Sequence, residues 1–173
     1  MSIGINDFTA QFAGGARPSL FRALQFFPAG IGVEASRKFQ YQCKGAQLPG
    51  KNISPIDVMY MGRQIKVAGD QVFEDMTFTI LNDTDFVIRR AYEQWMSMIN
   101  GNESNLGVTN PNMYYADIDI EQLDRDESVL QRYTLVGAFP TNISPIDLDW
   151  GATDTVEEYT VTLSYQYWLP GRE

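Results

Sequence analysis

Several carboxylates stand where an acid–base pair could form. Asp75, Asp117, Asp119 and Glu158 occupy polar positions in segments where polar and apolar residues alternate. Two carboxylates about 5 to 10 Å apart can hydrolyse a glycosidic bond. Acids on the polar side of a strand more often face solvent, and no nucleophile motif accompanies these four. Catalysis is therefore the weakest of the hypotheses for this chain.

The residue types that are missing narrow the chemistry further. The 173 residues include no histidine, which removes Ser-His-Asp and Cys-His nucleophiles and the usual base at neutral pH. One cysteine, Cys43, excludes an internal disulfide and a cysteine zinc site, and fits a reducing compartment. Asp124–Glu127 suggests calcium but lacks EF-hand spacing, so a charged hairpin tip is expected. No metal or cofactor is expected.

Charge and hydropathy bear on the partners. Acidic residues number 22 and basic residues 13, a net charge of −9, and the basic residues are scattered, whereas tight nucleic-acid binding uses clustered Lys and Arg. No apolar run approaches the roughly 18 residues of a membrane span. No basic segment followed by an apolar stretch opens the chain, so no signal peptide is expected. We expect no membrane partner.

A repeated hexapeptide divides the chain into two β-rich halves. Asn-Ile-Ser-Pro-Ile-Asp occurs at Asn52–Asp57 and again at Asn142–Asp147. Proline restricts the residue before it to an extended backbone conformation and donates no backbone hydrogen bond itself. Each copy is therefore expected in an edge strand or at the start of a strand. The halves, about residues 39–81 and 114–168, are predicted to form neighbouring, equivalent sheets of a single domain over residues 1–173.

Residues 84–100, between the halves, have helical periodicity. Asn82–Thr84 offers N-cap oxygens, and Asn100-Gly101 is a suitable stop. This is the one substantial helix expected. Gly30-x-Gly32-x-x-Ala35 resembles a dinucleotide fingerprint, but no helix is expected after it and no βαβ pattern surrounds it. The predicted apolar stripe of the helix contains Ile88, Ala91, Tyr92, Trp95 and Ile99.

Alternation predicts that most of the remaining chain forms strands. The fold class is mainly β: an antiparallel β-sandwich or barrel of about seven to eight strands with one flanking α-helix and a protruding hairpin. The predicted strands include Leu20–Phe27, Phe39–Cys43, Val72–Leu81, Tyr114–Leu123, Val129–Phe139 and Tyr159–Tyr167. Matching polar positions of the two halves are expected to share one sheet face: Asp75, Thr77, Thr79, Glu158, Thr160, Thr162 and Ser164.

The first half is longer because it holds a hairpin, Val58–Val67, around Gly62 and closed by an Ala68–Asp70 turn. A hairpin has two faces, and one domain covers only one. Either the hairpin folds back as a core meander, or it protrudes and buries apolar side chains on another subunit. The contact residues would then be Ile56, Val58, Met59, Tyr60, Met61, Ile65 and Val67.

An ordered set of segments resembles the tail tube proteins of contractile-tailed bacteriophages, a family shared with inner tube proteins of contractile injection systems. The set spans nearly the whole chain in the family's order. It consists of Ala16–Phe21, Phe39–Lys44 with Leu48-Pro49, Val67–Asp70, Phe73–Thr79, Asn82-Asp83, Gly137–Asn142, Leu148–Trp150, Val161–Leu163 and Tyr167-Trp168.

The resemblance implies a structural, non-enzymatic subunit. Six copies would form a ring, and rings would stack into a hollow tube that conducts DNA within a contractile sheath. The hairpin would contact the neighbouring ring, and the shared polar face would line the lumen. Implied partners are the sheath, baseplate and tail-terminator proteins, with the tape measure protein and DNA in the lumen but not tightly bound. The protein would lie in the virion tail after assembly in the host cytoplasm.

Other functions stay open on the sequence alone. Within the same class, the chain could form the inner tube of a contractile injection particle or a tube-initiating ring near the baseplate. A soluble ligand-binding β-barrel is the alternative from another class. It predicts a monomer with an enclosed apolar pocket.

Overall fold

Strands dominate the part of the chain that the structure describes. The computed structural model describes residues 4–12, 14–28 and 30–171. These ranges hold three α-helices: α1 (Ile5–Gln11), α2 (Val33–Gln42) and α3 (Val87–Ile99), with a 3-10 turn at Pro111–Met113. They also hold nine strands: β1 (Phe21–Gln25), β2 (Cys43–Gly45), β3 (Asn52–Tyr60), β4 (Arg63–Val72), β5 (Met76–Leu81), β6 (Ala116–Leu123), β7 (Val129–Ile143), β8 (Glu158–Ser164) and β9 (Tyr167–Pro170). The described helices are too short or too polar to cross a lipid bilayer.

Seven of these strands form one antiparallel, nearly closed, barrel-like sheet. The order is β1-β6-β7-β8-β5-β2, and β9 also pairs with β7. The predicted fold class, mainly β and barrel-like, is confirmed. The predicted helix is confirmed as α3, but α1 and α2 accompany it. The predicted cap is wrong: α3 begins after Phe86, and the Asp85 carboxylate accepts the Val87 amide at 3.2 Å.

The barrel interior is filled by aromatic and aliphatic side chains. Tyr92 and Trp95 of α3 are fully buried, and the Trp95 indole donates to the Tyr114 carbonyl at 2.7 Å. Phe39 and Phe78 meet edge to face, with ring centroids 5.6 Å apart. A packed interior of this kind leaves little room for the enclosed pocket that a ligand-binding barrel requires.

The prediction of a strand at Phe39–Cys43 is wrong for all but its last residue. Helix α2 runs through Gln42, and only Cys43 enters a strand. Ala35 and Phe39, four residues apart on one helix face, are both buried, whereas Tyr41 points to solvent. The helix follows Gly32, contrary to expectation. The sheet beside it is nevertheless antiparallel, so the dinucleotide fingerprint has no βαβ context.

The predicted strand Tyr159–Tyr167 is interrupted at Tyr165-Gln166. β8 and β9 both pair with β7, and between them the Gln166 amide donates to the Val136 carbonyl at 3.1 Å. Gly137 lies opposite this break with φ 66°, a conformation that favours glycine. The break changes which face later residues present, so Tyr167 is 44% exposed rather than buried in line with Tyr159.

A buried carboxylate holds the β1–β6–β7 part of the sheet together. Glu121 of β6 has no exposed surface, although it alternates with Ile118 and Ile120 just as Asp117 and Asp119 do. The Nε atoms of Arg22 on β1 and Arg132 on β7 each donate to it at 2.8 Å. Burial raises the pKa of Glu121, but these hydrogen bonds outweigh it, and the pKa is lowered.

Candidate assembly surfaces

The β3–β4 hairpin, called the hairpin below, forms a two-stranded sheet of its own. Met61 and Gly62, both with positive φ, make its turn, as predicted around Gly62. The predicted closing turn at Ala68–Asp70 is wrong, because β4 continues through these residues and pairs with β3 as far as Val72. The first hexapeptide copy therefore lies within the hairpin.

The second hexapeptide copy has a different setting. Asn142 and Ile143 end β7, and Ser144–Asp147 begins the loop that follows. The expectation of equivalent strand starts in two similar sheets is therefore wrong. The first copy fits the expectation of an edge strand, since Pro55 lies in a two-stranded ribbon outside the barrel sheet.

The hairpin is amphipathic although both of its faces are exposed. Residues directly opposite each other on paired strands share a face. The pairs Ile56–Val67, Val58–Ile65 and Tyr60–Arg63 therefore form one face, which is apolar except for Arg63. Asp57, Lys66, Met59 and Gln64 lie on the other face, and Met61 lies at the turn. All seven predicted contact residues are exposed, so the core-meander alternative is wrong.

The apolar face of the hairpin is exposed to solvent in the single subunit, which is unfavourable. An isolated two-stranded hairpin is marginally stable, and an exposed apolar patch marks a surface that a partner covers. Among the described residues, the hydrogen bonds and ring contacts between this region and the barrel are at the flanks of the hairpin. The Gly50 carbonyl accepts a hydrogen bond from the Trp168 indole, and the Phe73 ring lies beside Tyr165. The seven residues therefore remain candidates for contact with another subunit.

The predicted polar face is formed mainly by β5 and β8. These strands pair directly, so the two halves meet in one sheet rather than in neighbouring equivalent ones. Thr77 lies opposite Thr162 with hydroxyl oxygens 3.4 Å apart, and Thr79 lies opposite Thr160. We call these four residues the threonine face. Met76, Phe78, Ile80, Tyr159, Val161 and Leu163 alternate with them and are buried.

The ends of the threonine face differ in charge. Glu158 begins β8 on this face, and the Lys44 ammonium of β2 forms an ion pair with its carboxylate. Ser164 ends β8, and Asp75 is exposed just before β5. The ion pair partly neutralises one of the two carboxylates predicted for this surface. Sequence spacing gave no sign of Lys44, which is 114 residues from Glu158.

The four carboxylates considered for catalysis are spread over the sheet. Asp75 and Glu158 lie at opposite ends of the β5–β8 pair, about 20 Å apart at roughly 3.3 Å per residue. The Asp117 carboxylate accepts a hydrogen bond from the Gly137 amide at 3.1 Å, and the Asp119 carboxylate accepts one from the Thr134 hydroxyl at 2.6 Å. The first pair is too far apart for glycoside hydrolysis, and the other two carboxylates hold β6 to β7.

The Asp124–Ser128 segment is a charged hairpin tip between β6 and β7, as predicted. Asp126 accepts both the amide and the hydroxyl of Ser128, at 3.1 and 2.6 Å. The hydrogen bond from the Ser128 hydroxyl lowers the pKa of Asp126. Across residues 4–12, 14–28 and 30–171, no three Cys, Asp or Glu side chains converge as metal ligands would.

The chain is similar to phage tail tube proteins over nearly its full length. A family model described as phage tail tube protein matches residues 6–170. The tail tube protein gp19 of Enterobacteria phage T4 is 32% identical over 170 residues, which cover 95% of this chain and 98% of that protein. The tail tube protein of Serratia phage KSP90 is 29% identical over 165 residues, 93% of each chain.

Solved structures share the fold at lower identity. A chain of the anti-feeding prophage tube-terminating cap superposes with a TM-score of 0.68 and 18% identity over the full length of both chains. A chain of the sheath–tube complex of an extracellular contractile injection system, PVC, gives a TM-score of 0.63 and 12% identity, covering 98% of this chain and 99% of that one. At these identities the likeness shows the fold alone.

Proposed function

The chain belongs to the phage tail tube protein family, and on that premise we propose that six copies form a ring and that rings stack into a hollow conduit for DNA. The near full-length match to phage tail tube proteins carries the proposal. The exposed apolar hairpin supports stacking, because it offers each subunit a surface that another can cover. The role is structural, and no enzymatic step is assigned to it.

The threonine face supports a lumenal position. A ring of six copies carries a formal charge of −54, six times −9. DNA passing through a narrow bore stays within the about 8 Å over which charges act at physiological salt. A wall of hydroxyl groups, with Asp75 exposed and Lys44 already paired with Glu158, offers phosphates no unpaired cation on this face. DNA therefore passes without being retained.

The partners follow from the same proposal. The tube lies in the virion tail, inside a contractile sheath, with baseplate and tail-terminator proteins at its ends and the tape measure protein in its lumen before DNA passes. The subunits assemble in the host cytoplasm. The relatives near 30% identity are phage proteins, which favours a phage tube over the inner tube of an injection particle or a tube-initiating ring.

Lysines on the threonine face are expected to slow genome ejection. Thr160→Lys with Thr162→Lys adds two positive charges per subunit beside the DNA. A net attraction of about 1.4 kcal/mol slows escape about tenfold. Tubes should still form, because both side chains point away from the core. Ejection is measured as the rate at which phage assembled with the variant release DNA in vitro.

Glu103→Lys provides the matched control, since it changes charge by the same two units on an exposed loop. Phage with this variant should eject at the parental rate. Equal ejection rates for the control and the double lysine variant, in phage with intact tubes, would place the threonine face outside the lumen.

A further inference from the structure

The loop between β7 and β8 exposes large apolar side chains without a cover. Trp150 is 100% exposed, Leu148 is 81% exposed, and Val156 is also exposed. Burying a Trp side chain is more favourable in free energy than burying most other side chains, because its apolar area is large. A fully exposed Trp next to other exposed apolar side chains therefore marks a contact surface. We call residues 145–157 the acidic loop.

The acidic loop forms a groove that both apolar side chains and carboxylates line. The groove has a volume of about 390 Å³, and Ile146, Leu148 and Val156 are among its lining residues. Asp147 and Asp149 also line it, and the loop contains Asp154 and Glu157 but no Lys or Arg. A ligand for this groove needs an apolar side chain and a cation beside it.

The hairpin carries that combination. Met61 at its turn is 88% exposed, and Tyr60 and Arg63 lie opposite each other next to it on the apolar face. Arg63 has no ion-pair partner among the residues that the structure describes. The hairpin as a whole is neutral, with two basic and two acidic side chains, but Arg63 and Lys66 lie in its outer part, residues 58–66, and neither acidic residue does.

The hairpin and the acidic loop lie at opposite ends of the β5–β8 strand pair. β5 begins at Met76, shortly after the hairpin ends, and its last residue, Leu81, pairs with Glu158, which follows the acidic loop. The two surfaces are therefore separated by about 20 Å of strand. A contact between different surfaces at opposite ends of a subunit repeats without closing, as stacking requires.

We propose that the hairpin tip of one subunit docks in the acidic-loop groove of a second copy in the next ring. The contact rests on the proposed function, because it requires that rings stack. Met61 and Tyr60 enter the groove beside Leu148 and Val156, and Arg63 faces the carboxylates that line it. The occupant is thus another copy of this chain, and the apolar surfaces of both segments become buried together.

Disulfide cross-linking in assembled tubes tests this contact. Met61→Cys with Leu148→Cys should give a ladder of covalent multimers on a non-reducing gel, because each subunit donates one hairpin and accepts another. Both positions are exposed, so the substitutions leave the core unchanged. The native Cys43 does not interfere, because it is buried and burial raises the pKa of its thiol to about 12.

Met61→Cys with Leu106→Cys is the control, since Leu106 is similarly exposed on a different loop. It should give no ladder. Tubes of the Met61 and Leu148 variant that give no more multimers than the control would overturn the contact and leave the proposed function standing. Failure of the unmodified chain to form rings or tubes at all would overturn both.

Discussion

Shortening the hairpin is expected to leave a folded subunit that no longer stacks. The change replaces Asp57–Lys66 by Asn-Gly, so that Ile56 and Val67 close the turn. In the native hairpin the turn is closed by the pair Tyr60–Arg63, and Ile56–Val67 lies four pairs further along the ladder. Hydrogen-bonded and non-hydrogen-bonded pairs alternate along an antiparallel ladder, so the two pairs are of the same type. Asn-Gly favours the two-residue turn that the shortened hairpin needs.

The effect on assembly should be close to complete because the change removes most of the proposed contact surface. The lost residues include Val58, Met59, Tyr60, Met61 and Ile65, all exposed in the single chain. The barrel core loses none of its members, so the circular dichroism spectrum and the urea midpoint should stay near those of the parent. Electron microscopy and sedimentation velocity would report the loss of tubes.

The matched control places the same Asn-Gly pair in the other exposed tip, with Arg125→Asn and Asp126→Gly. This variant should form tubes as the parent does, because the β6–β7 tip has no assigned contact. Unfolding of the shortened-hairpin variant would show that the hairpin stabilises the core. Normal tube length would place the contact between rings elsewhere.

Replacing the buried carboxylate of β6 is expected to have the largest effect on the stability of the subunit. Glu121→Gln keeps the shape but removes the charge to which Arg22 and Arg132 donate. Losing charge-assisted hydrogen bonds at a fully buried group costs about 3 kcal/mol of unfolding free energy. The total free energy of unfolding of a small domain is only about 5 to 15 kcal/mol. Urea titration of the isolated subunit measures the difference.

The pH dependence of stability should change in the same variant. The folded-state pKa of Glu121 is lowered, so its contribution is fully present above the unfolded-state pKa and is lost as pH falls through the folded-state value. Glu121→Gln should therefore remove part of the acid-induced loss of stability. Glu103→Gln, on an exposed loop, should change neither the midpoint nor its pH dependence. A loss below about 0.5 kcal/mol for Glu121→Gln would contradict a role for the ion pairs.

The alternation of polar and apolar residues was sufficient to predict a strand and its two faces where one face is buried and the other polar along the whole strand. Thr77 and Thr160 were placed correctly because their neighbours along β5 and β8 are all apolar and buried. The stripe of α3 was visible for the same reason, since its apolar residues recur over more than three turns. These two patterns predicted the barrel and its helix.

Short or interrupted patterns failed for identifiable reasons. Five alternating residues at Phe39–Cys43 could not be told from the end of a helix, because the deciding contact is the burial of Ala35 with Phe39. Gly69 suggested a turn but lies in β4, where a Cβ atom would come within 2.6 Å of the Ser54 carbonyl oxygen. Close approach of two strands, rather than a turn, explains that glycine.

Local sequence patterns could not predict contacts between residues that are far apart in the sequence. Glu121 is buried because Arg22, 99 residues away, and Arg132, across the hairpin tip, converge on it. The polar face gains Lys44 from β2 only through the pairing of β2 with β5. The groove of the acidic loop likewise exists only once the loop between β7 and β8 has folded.

Electron microscopy of the purified, unmodified chain tests the central claim most directly. The claim is that this subunit carries in itself the surfaces from which a tube is built: the hairpin at one end, the acidic loop at the other, and the threonine face between them. At high concentration, with no partner protein, we predict stacked rings or tubes with an open central bore. A chain that stays monomeric under those conditions would contradict it.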